Sequence, residues 1–302
     1  MTAEKWTIQI INNKGPFLAL ARFLFWGAGL LLLPLAGCTS FVITPAIKPV
    51  VENMNRQDDI QLVCEGAPAF LLMIDSLIAA DPADKVLLKS GAQTYSAYAT
   101  VVAECGRGER AALLSAKGMR YGMALLKKER LLALGLNCPD KDFSRLLQNV
   151  SRSHVDSLFW GGYAWATWIG FQQGAAAAMA DLPKVELIMK RVVELDESFY
   201  NGGAHIFLGV YNAMRPVMFG GNPELSKNHF ERALLLSRRR YLPIMVAYAR
   251  FYARMVFERD LYEQLLREVI DFDMERAPEF TLANTVAQKQ AAEMLAVIDE
   301  YF

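Results

Sequence analysis

Helix-length stretches broken by short turns run from residue 60 to the C-terminus, and this rhythm constrains the fold more than any other feature of the chain. Apolar side chains recur at three- and four-residue spacing, as in helices that bury one face. Turn signals separate the stretches: Asp81-Pro82, Gly106-Arg107-Gly108, Cys138-Pro139-Asp140, Leu182-Pro183, Gly220-Gly221-Asn222-Pro223 and Pro278. The pattern predicts helices near 60–79, 85–104, 108–134, 142–150, 154–178, 184–194, 202–214, 223–237, 242–257, 260–271 and 279–300. Proline falls in the first turn of several of them, where its missing N–H costs nothing. Strand-like Val/Ile/Thr alternation is scarce, so the expected fold class is all-α.

The hairpins carry a degenerate repeat. In tetratricopeptide-like units small residues sit where paired helices touch, and the second helix reads small-x3-aromatic-x2-small. Ser226, Phe230 and Ala233 fit that spacing, and Leu208-Gly209 fits the first-helix pair upstream. Val185, Met189 and Val192 fit with larger residues, and Tyr262, Leu266 and Val269 fit loosely. The expectation is a divergent helical-hairpin array, an α-solenoid whose concave face binds something.

Upstream, the apolar run Phe23–Gly37 follows Lys5, Lys14 and Arg22 and ends in Leu35-Ala36-Gly37-Cys38. A basic region, an apolar region and a small-residue cleavage site make a secretory signal. Cysteine directly after Leu-Ala-Gly resembles the bacterial lipobox, which implies cleavage before Cys38 and acylation of that residue. The competing reading joins Phe17–Ala21 to the run and makes a membrane helix interrupted by Arg22. Either way the rest of the chain is expected outside the cytoplasm. Thr39, rather than Asp, follows the cysteine, which favours the outer membrane. Residues 39–58 carry two prolines and no sustained helical period, so the domain reading is signal peptide 1–37, lipidated tether 38–59 and helical-repeat domain 60–302.

The 32 basic and 32 acidic residues balance, which gives no electrostatic case for binding nucleic acid. With Cys38 lipidated, Cys64, Cys105 and Cys138 remain in an oxidising compartment. Cys64 falls near the start of one expected helix and Cys105 near the end of the next, ends that meet in an antiparallel hairpin. Those two are the disulfide candidates; the alternative is three buried thiols acting as small hydrophobes.

No motif nominates an enzyme. The three histidines, His154, His205 and His229, lie in no His-Glu-x-x-His, and no Cys-x-x-Cys occurs, so neither a metal nor a cofactor is expected. Gly-x-Ser-x-Gly, the phosphate-binding loop and the dinucleotide fingerprint are missing too. What stands out is Trp160 through Phe171, where five aromatic residues lie beside three glycines on one expected helix. Glycine disfavours a helix interior by about 1 kcal/mol, so these glycines point to close approach of another backbone or a ligand. Trp160, Trp165 and Trp168 are either a core seam or the wall of an apolar channel. Gly202-Gly203 with His205 opens a further helix, where backbone N–H groups can receive an anion or two helices can cross tightly. Phe219-Gly220-Gly221-Asn222 forms a compact turn with Asn222 as N-cap. Asn284 and Gln288 share a stripe at i, i+4 and either reach loop carbonyls or face a channel.

FGGNPELSKNHFERALLLS (219–237), NGGAHIFLGVYNA (201–213) and TLANTVAQKQAAEMLAVIDEYF (281–302) together resemble the TRAP-transporter-associated T-component lipoproteins, the TatT family. The resemblance spans nearly the whole mature chain and is strongest over 155–302. It implies a periplasm-facing, lipid-anchored helical-repeat protein that assembles as a homotrimer and associates with the TRAP-type substrate-binding protein. It also implies a pore or cavity for a small apolar or carboxylated molecule, with the residues singled out above as candidate lining. The competing function is an envelope scaffold that organises partners through its helical repeats.

Overall fold

The computed structural model describes residues 39–129 and 138–302, with side chains from residue 47 onward. Lys48–Phe302 forms one compact unit. The leader and Cys38 lie outside the described residues.

The described residues are helical and contain no strand, so the fold is all-α. Helix α1 (Thr39–Asn55) runs through both prolines of the segment that the sequence reads as lacking helical period. Then come α2 (Ile60–Ala80), α3 (Lys85–Glu104), α4 (Gly108–Lys128), α5 (Asp140–Gln148) and α6 (Val155–Gly170). They are followed by α7 (Leu182–Asp196), α8 (Phe199–Met214), α9 (Pro223–Leu236), α10 (Pro243–Ala247), α11 (Arg259–Ile270) and α12 (Thr281–Ala296). Caps fix several starts: Asp59 accepts from the Leu62 amide at 2.9 Å, Asp84 from Val86 at 2.7 Å, and Asn222 from Leu225 at 2.9 Å.

Three boundaries differ from the sequence reading. The helix expected over 154–178 stops at Gly170, because Gln173 and Gly174 turn left-handed with φ of 50° and 79°. The helix expected over 242–257 continues from α10 into a π-helical stretch, Tyr248–Ala253, where Arg254 donates to Ala249 at 3.0 Å, five residues back. Helix α4 ends at Lys128 rather than near 134, with 130–137 outside the described residues.

Successive helices pack in pairs: α2 on α3, α3 on α4, α4 on α6, α6 on α7, α7 on α8, α8 on α9 and α11 on α12. In the α8–α9 hairpin the repeat-like residues meet directly. Ser226 donates to the Gly209 carbonyl at 2.7 Å, and a side chain at Gly209 would press on the Phe230 ring at 2.9 Å. Cys64 and Cys105 are joined in a disulfide that ties the start of α2 to the end of α3. Leu282 of α12 packs in the same cluster as Val63, Cys64 and Tyr98. Lys289 donates to the Glu104 carbonyl at 2.6 Å, so the last long helix returns to the N-terminal hairpin.

Candidate functional site

That return encloses a hollow. Its wall takes residues from α1 (Val51, Met54), α2 (Phe70), α3 (Gln93, Tyr98), α6 (Trp160, Tyr163), Tyr200 and Leu282 of α12. The free volume is about 70 Å³, room for two or three waters at roughly 30 Å³ each. Among the described residues that line it, no side chain is charged.

Local sequence explains how the aromatic wall is built. Trp160-Gly161-Gly162-Tyr163 lies in the middle of α6, where a Cβ at Gly161 would run into Leu126 of α4. A Cβ at Gly162 would come within 2.9 Å of Ile188 on α7. The two glycines therefore let α6 sit between α4 and α7, and that seating turns Trp160 and Tyr163 to the hollow. The Trp160 ring meets Tyr200 edge-on at 4.6 Å and Tyr163 at 5.6 Å, geometry that aromatic pairs favour.

Tyr200 itself is set by an unusual backbone. Tyr200, Asn201 and Gly202 take φ of 47°, 57° and 75° in succession at the start of α8. Gly202 takes that conformation freely and asparagine tolerates it, but for tyrosine the left-handed region costs about 1–2 kcal/mol. Such strain persists only where the surroundings over-determine it, and it concentrates at functional sites. Tyr200 keeps 39% of its surface accessible, yet desolvation pushes its hydroxyl pKa up. A residue both accessible and desolvated lines an internal space. Tyr241, whose ring lies 6.4 Å from that of Tyr200, is likewise raised by desolvation. The Tyr200 hydroxyl makes no hydrogen bond within the described residues, and Tyr241 stands behind it, outside the wall of the hollow.

Of the residues singled out from sequence, Trp160 alone is in the wall of this hollow. Trp165 is 3% exposed and donates its indole N–H to Asp181 at 3.1 Å, so it belongs to the seam with the segment before α7. Trp168 is half-buried and is not in the wall. Gly203 backs onto the Phe159 ring, within 2.6 Å of where its Cβ would stand. His205 is buried in the α8–α9 seam, its Nδ1 2.8 Å from Nδ1 of His229, and lies outside the wall of the hollow. Its Nε2 stands 3.6 Å from Glu197, which is paired with Arg232.

Phe219, Gly220 and Gly221 form a surface loop rather than a channel wall. Arg215 pins the loop by donating to Tyr211 at 2.8 Å and to the Phe219 carbonyl, which leaves Met218 83% and Phe219 64% exposed. Asn222 is the N-cap of α9. Asn284 accepts from the Leu242 amide at 3.0 Å and donates to the Arg240 carbonyl at 3.0 Å. Gln288 reaches the Val269, Ile270 and Phe272 carbonyls at the end of α11. Those two carboxamides hold loops and do not enter the hollow.

Sequence reading missed Tyr98 and Tyr200, and named Tyr163 only within the Trp160–Phe171 stretch. For Tyr200 a signal existed: Asn-Gly directly after it is a left-handed turn dipeptide. A second polar cluster also went unnoticed. Ser151 lies 3.0 Å from His154 Nδ1, and His154 Nε2 lies 3.3 Å from Glu129. The line resembles a nucleophile, base and acid, but Lys85 holds the same carboxylate at 2.9 Å. The cluster ties the end of α4 to α3 and α6. Among the described residues no group of three or more His, Cys, Asp or Glu side chains converges as a metal site does.

Comparison with known proteins gives one family. The model described as TRAP transporter T-component matches residues 56–302. A protein of Treponema pallidum (strain Nichols), described only as uncharacterized, is 21% identical over 266 residues, covering 82% of this chain and 81% of its own length.

Proposed function

The chain belongs to the TRAP transporter T-component family, and on that premise we propose that it is the periplasm-facing accessory subunit that binds the system's substrate-binding protein and holds a small ligand. The observation that carries the ligand part is the aromatic hollow, whose wall draws on helices from both ends of the body. Membership makes the protein an accessory component of a TRAP transporter. The Cys64–Cys105 disulfide suits an oxidising compartment, where such bonds persist. Acylation at Cys38 would anchor the protein to the envelope, in the outer membrane on the reading of Thr39, and homotrimeric assembly completes the proposal.

The test is co-purification of the full chain with the substrate-binding protein encoded beside it, followed by native mass spectrometry. A complex containing three copies of this chain is the expected result; no association at micromolar concentrations sinks the docking half. Cys38→Ala should release the protein from the membrane fraction. The scaffold reading draws on one observation, the rigid exposed Val217-Met218-Phe219 loop. It gains ground if Phe219→Ala abolishes association with proteins unrelated to transport.

A further inference from the structure

The hollow's chemistry narrows what it can hold, and the step taken here rests on the ligand reading above. We propose that the ligand is uncharged, an apolar molecule carrying a hydroxyl or carbonyl group, and that Tyr200 recognises that group.

Three observations carry this. First, the described polar lining is neutral: Asn55, Gln93, Thr94, Tyr98, Tyr163 and Tyr200, with no cation among those residues to meet a carboxylate. Lys89 of α3 is taken by Asp156 at 2.9 Å, and exposed Arg56 follows Asn55 outside the wall. A carboxylate moved into such a space loses its hydration, and two phenols return only part of it. Second, Tyr200 lines the hollow and its hydroxyl makes no hydrogen bond within the described residues. A phenol is protonated at neutral pH, so it offers one donor and acceptor positions to a hydroxyl or carbonyl. Third, the rings of Trp160, Tyr163 and Tyr200 meet one another in the wall and supply flat apolar contact. Asn55 and Ala97 are exposed members of the wall, so the hollow reaches the surface. At about 70 Å³ it is half the size of cavities that admit benzene, roughly 150 Å³. A ring-sized ligand therefore needs Tyr200 to swing aside, and the left-handed step beneath Tyr200 is the strained element placed to allow it.

The experiment titrates benzyl alcohol and benzoate, alike except for the charged group, into the full chain in lipid nanodiscs at pH 7.5. Saturation-transfer NMR reads binding, tryptophan emission reports on Trp160, and empty nanodiscs serve as reference. Benzyl alcohol should bind at least about tenfold more tightly than benzoate. Tyr200→Phe should weaken it about threefold to tenfold, in line with loss of one hydrogen bond, with circular dichroism unchanged. Benzoate binding as tightly as the alcohol overturns the inference and leaves the ligand reading standing. Alcohol affinity unmoved by Tyr200→Phe overturns the assignment of the hydroxyl. No binding of either probe at millimolar concentration overturns the inference and the ligand reading together.

Discussion

The two ends of the folded body are fastened by different chemistry. In α2–α4 the fastenings are a disulfide, glycine crossings and two ion-pair groups, Lys85 on Glu129 at the end of α4 and the group around Asp75. Gly118 of α4 sits against Ser96 of α3, and Asp75 takes Lys117 and, at 2.6 Å, the Tyr121 hydroxyl. Burial alone would raise the Asp75 pKa, but those hydrogen bonds hold it below the ordinary carboxylate value. In α8–α12 the fastenings are side chains that reach across to backbone or to one another: Asn284, Gln288, the His205–His229 pair and Arg239 on Glu268 at 2.6 Å. Covalent and close-packed joints tolerate changes of charge and pH. Polar joints depend on each partner being present and correctly protonated. The comparison makes the two ends fail under different challenges.

The largest effect is expected from the disulfide. Closing 41 residues of sequence removes about 4 kcal/mol of chain entropy from the unfolded state on the loop-closure model. Replacing Cys64 and Cys105 by serine should lower stability by that order in urea unfolding. Native-state hydrogen exchange should place the lost protection in α2–α4. Equal loss of protection across α8–α12 would break the comparison, since it would make the body one cooperative unit.

Next in size is Asn284→Ala. It strands the buried Leu242 amide and the Arg240 carbonyl, each now bonded at 3.0 Å, and a buried unsatisfied group costs about 1–3 kcal/mol. A total loss near 3 kcal/mol is expected in the same urea assay. A change under about 0.5 kcal/mol would show that water replaces the carboxamide and that the polar joint is dispensable.

Much of the fold was legible because it rests on local signals. Asp59, Asp84 and Asn222 cap helices where turn residues announce them, and buried Ser226, Phe230 and Ala233 line the inward face of α9 as their spacing requires. The site was less legible, and the reason is geometric. Trp160, Tyr200 and Leu282 meet across more than a hundred residues of sequence, and only the return of α12 to the first hairpin brings them together. Aromatic-glycine composition did not separate the two clusters it flagged. Trp160-Gly161-Gly162 is buried because neighbouring helices need the space, whereas Phe219 and Gly220 are exposed in a loop that Arg215 holds outward. The α1 helix was hidden by its prolines, which weaken the local helical signal without preventing the helix.

The smallest effect, and the sharpest contrast, comes from pH. His205 and His229 face each other at 2.8 Å, with Glu197 and Arg232 beside His205 and Lys190 acting on His229. Desolvation lowers both, and the His229 pKa is pushed down to about 4. A histidine depressed in the folded state is charged more readily in the unfolded chain, so the unfolded state gains protons first as pH falls. Stability is therefore full above the ordinary histidine value near 6.5 and falls as pH drops toward 4. At pH 5 the loss should be about 1–2 kcal/mol, reduced from the full linkage value because His229 is only half-buried. No histidine lies in α2–α4, and the lowered Asp75 begins to lose its contribution only below ordinary carboxylate values. Hydrogen exchange at pH 7 and pH 5, corrected for intrinsic rate, should thus show weakened protection in α8 and α9 with α2–α4 unchanged. His229→Gln should flatten the dependence by removing one of the two facing rings that cannot both take a proton. If the N-terminal helices loosen first, the fastening that matters between pH 7 and 5 is not the histidine pair.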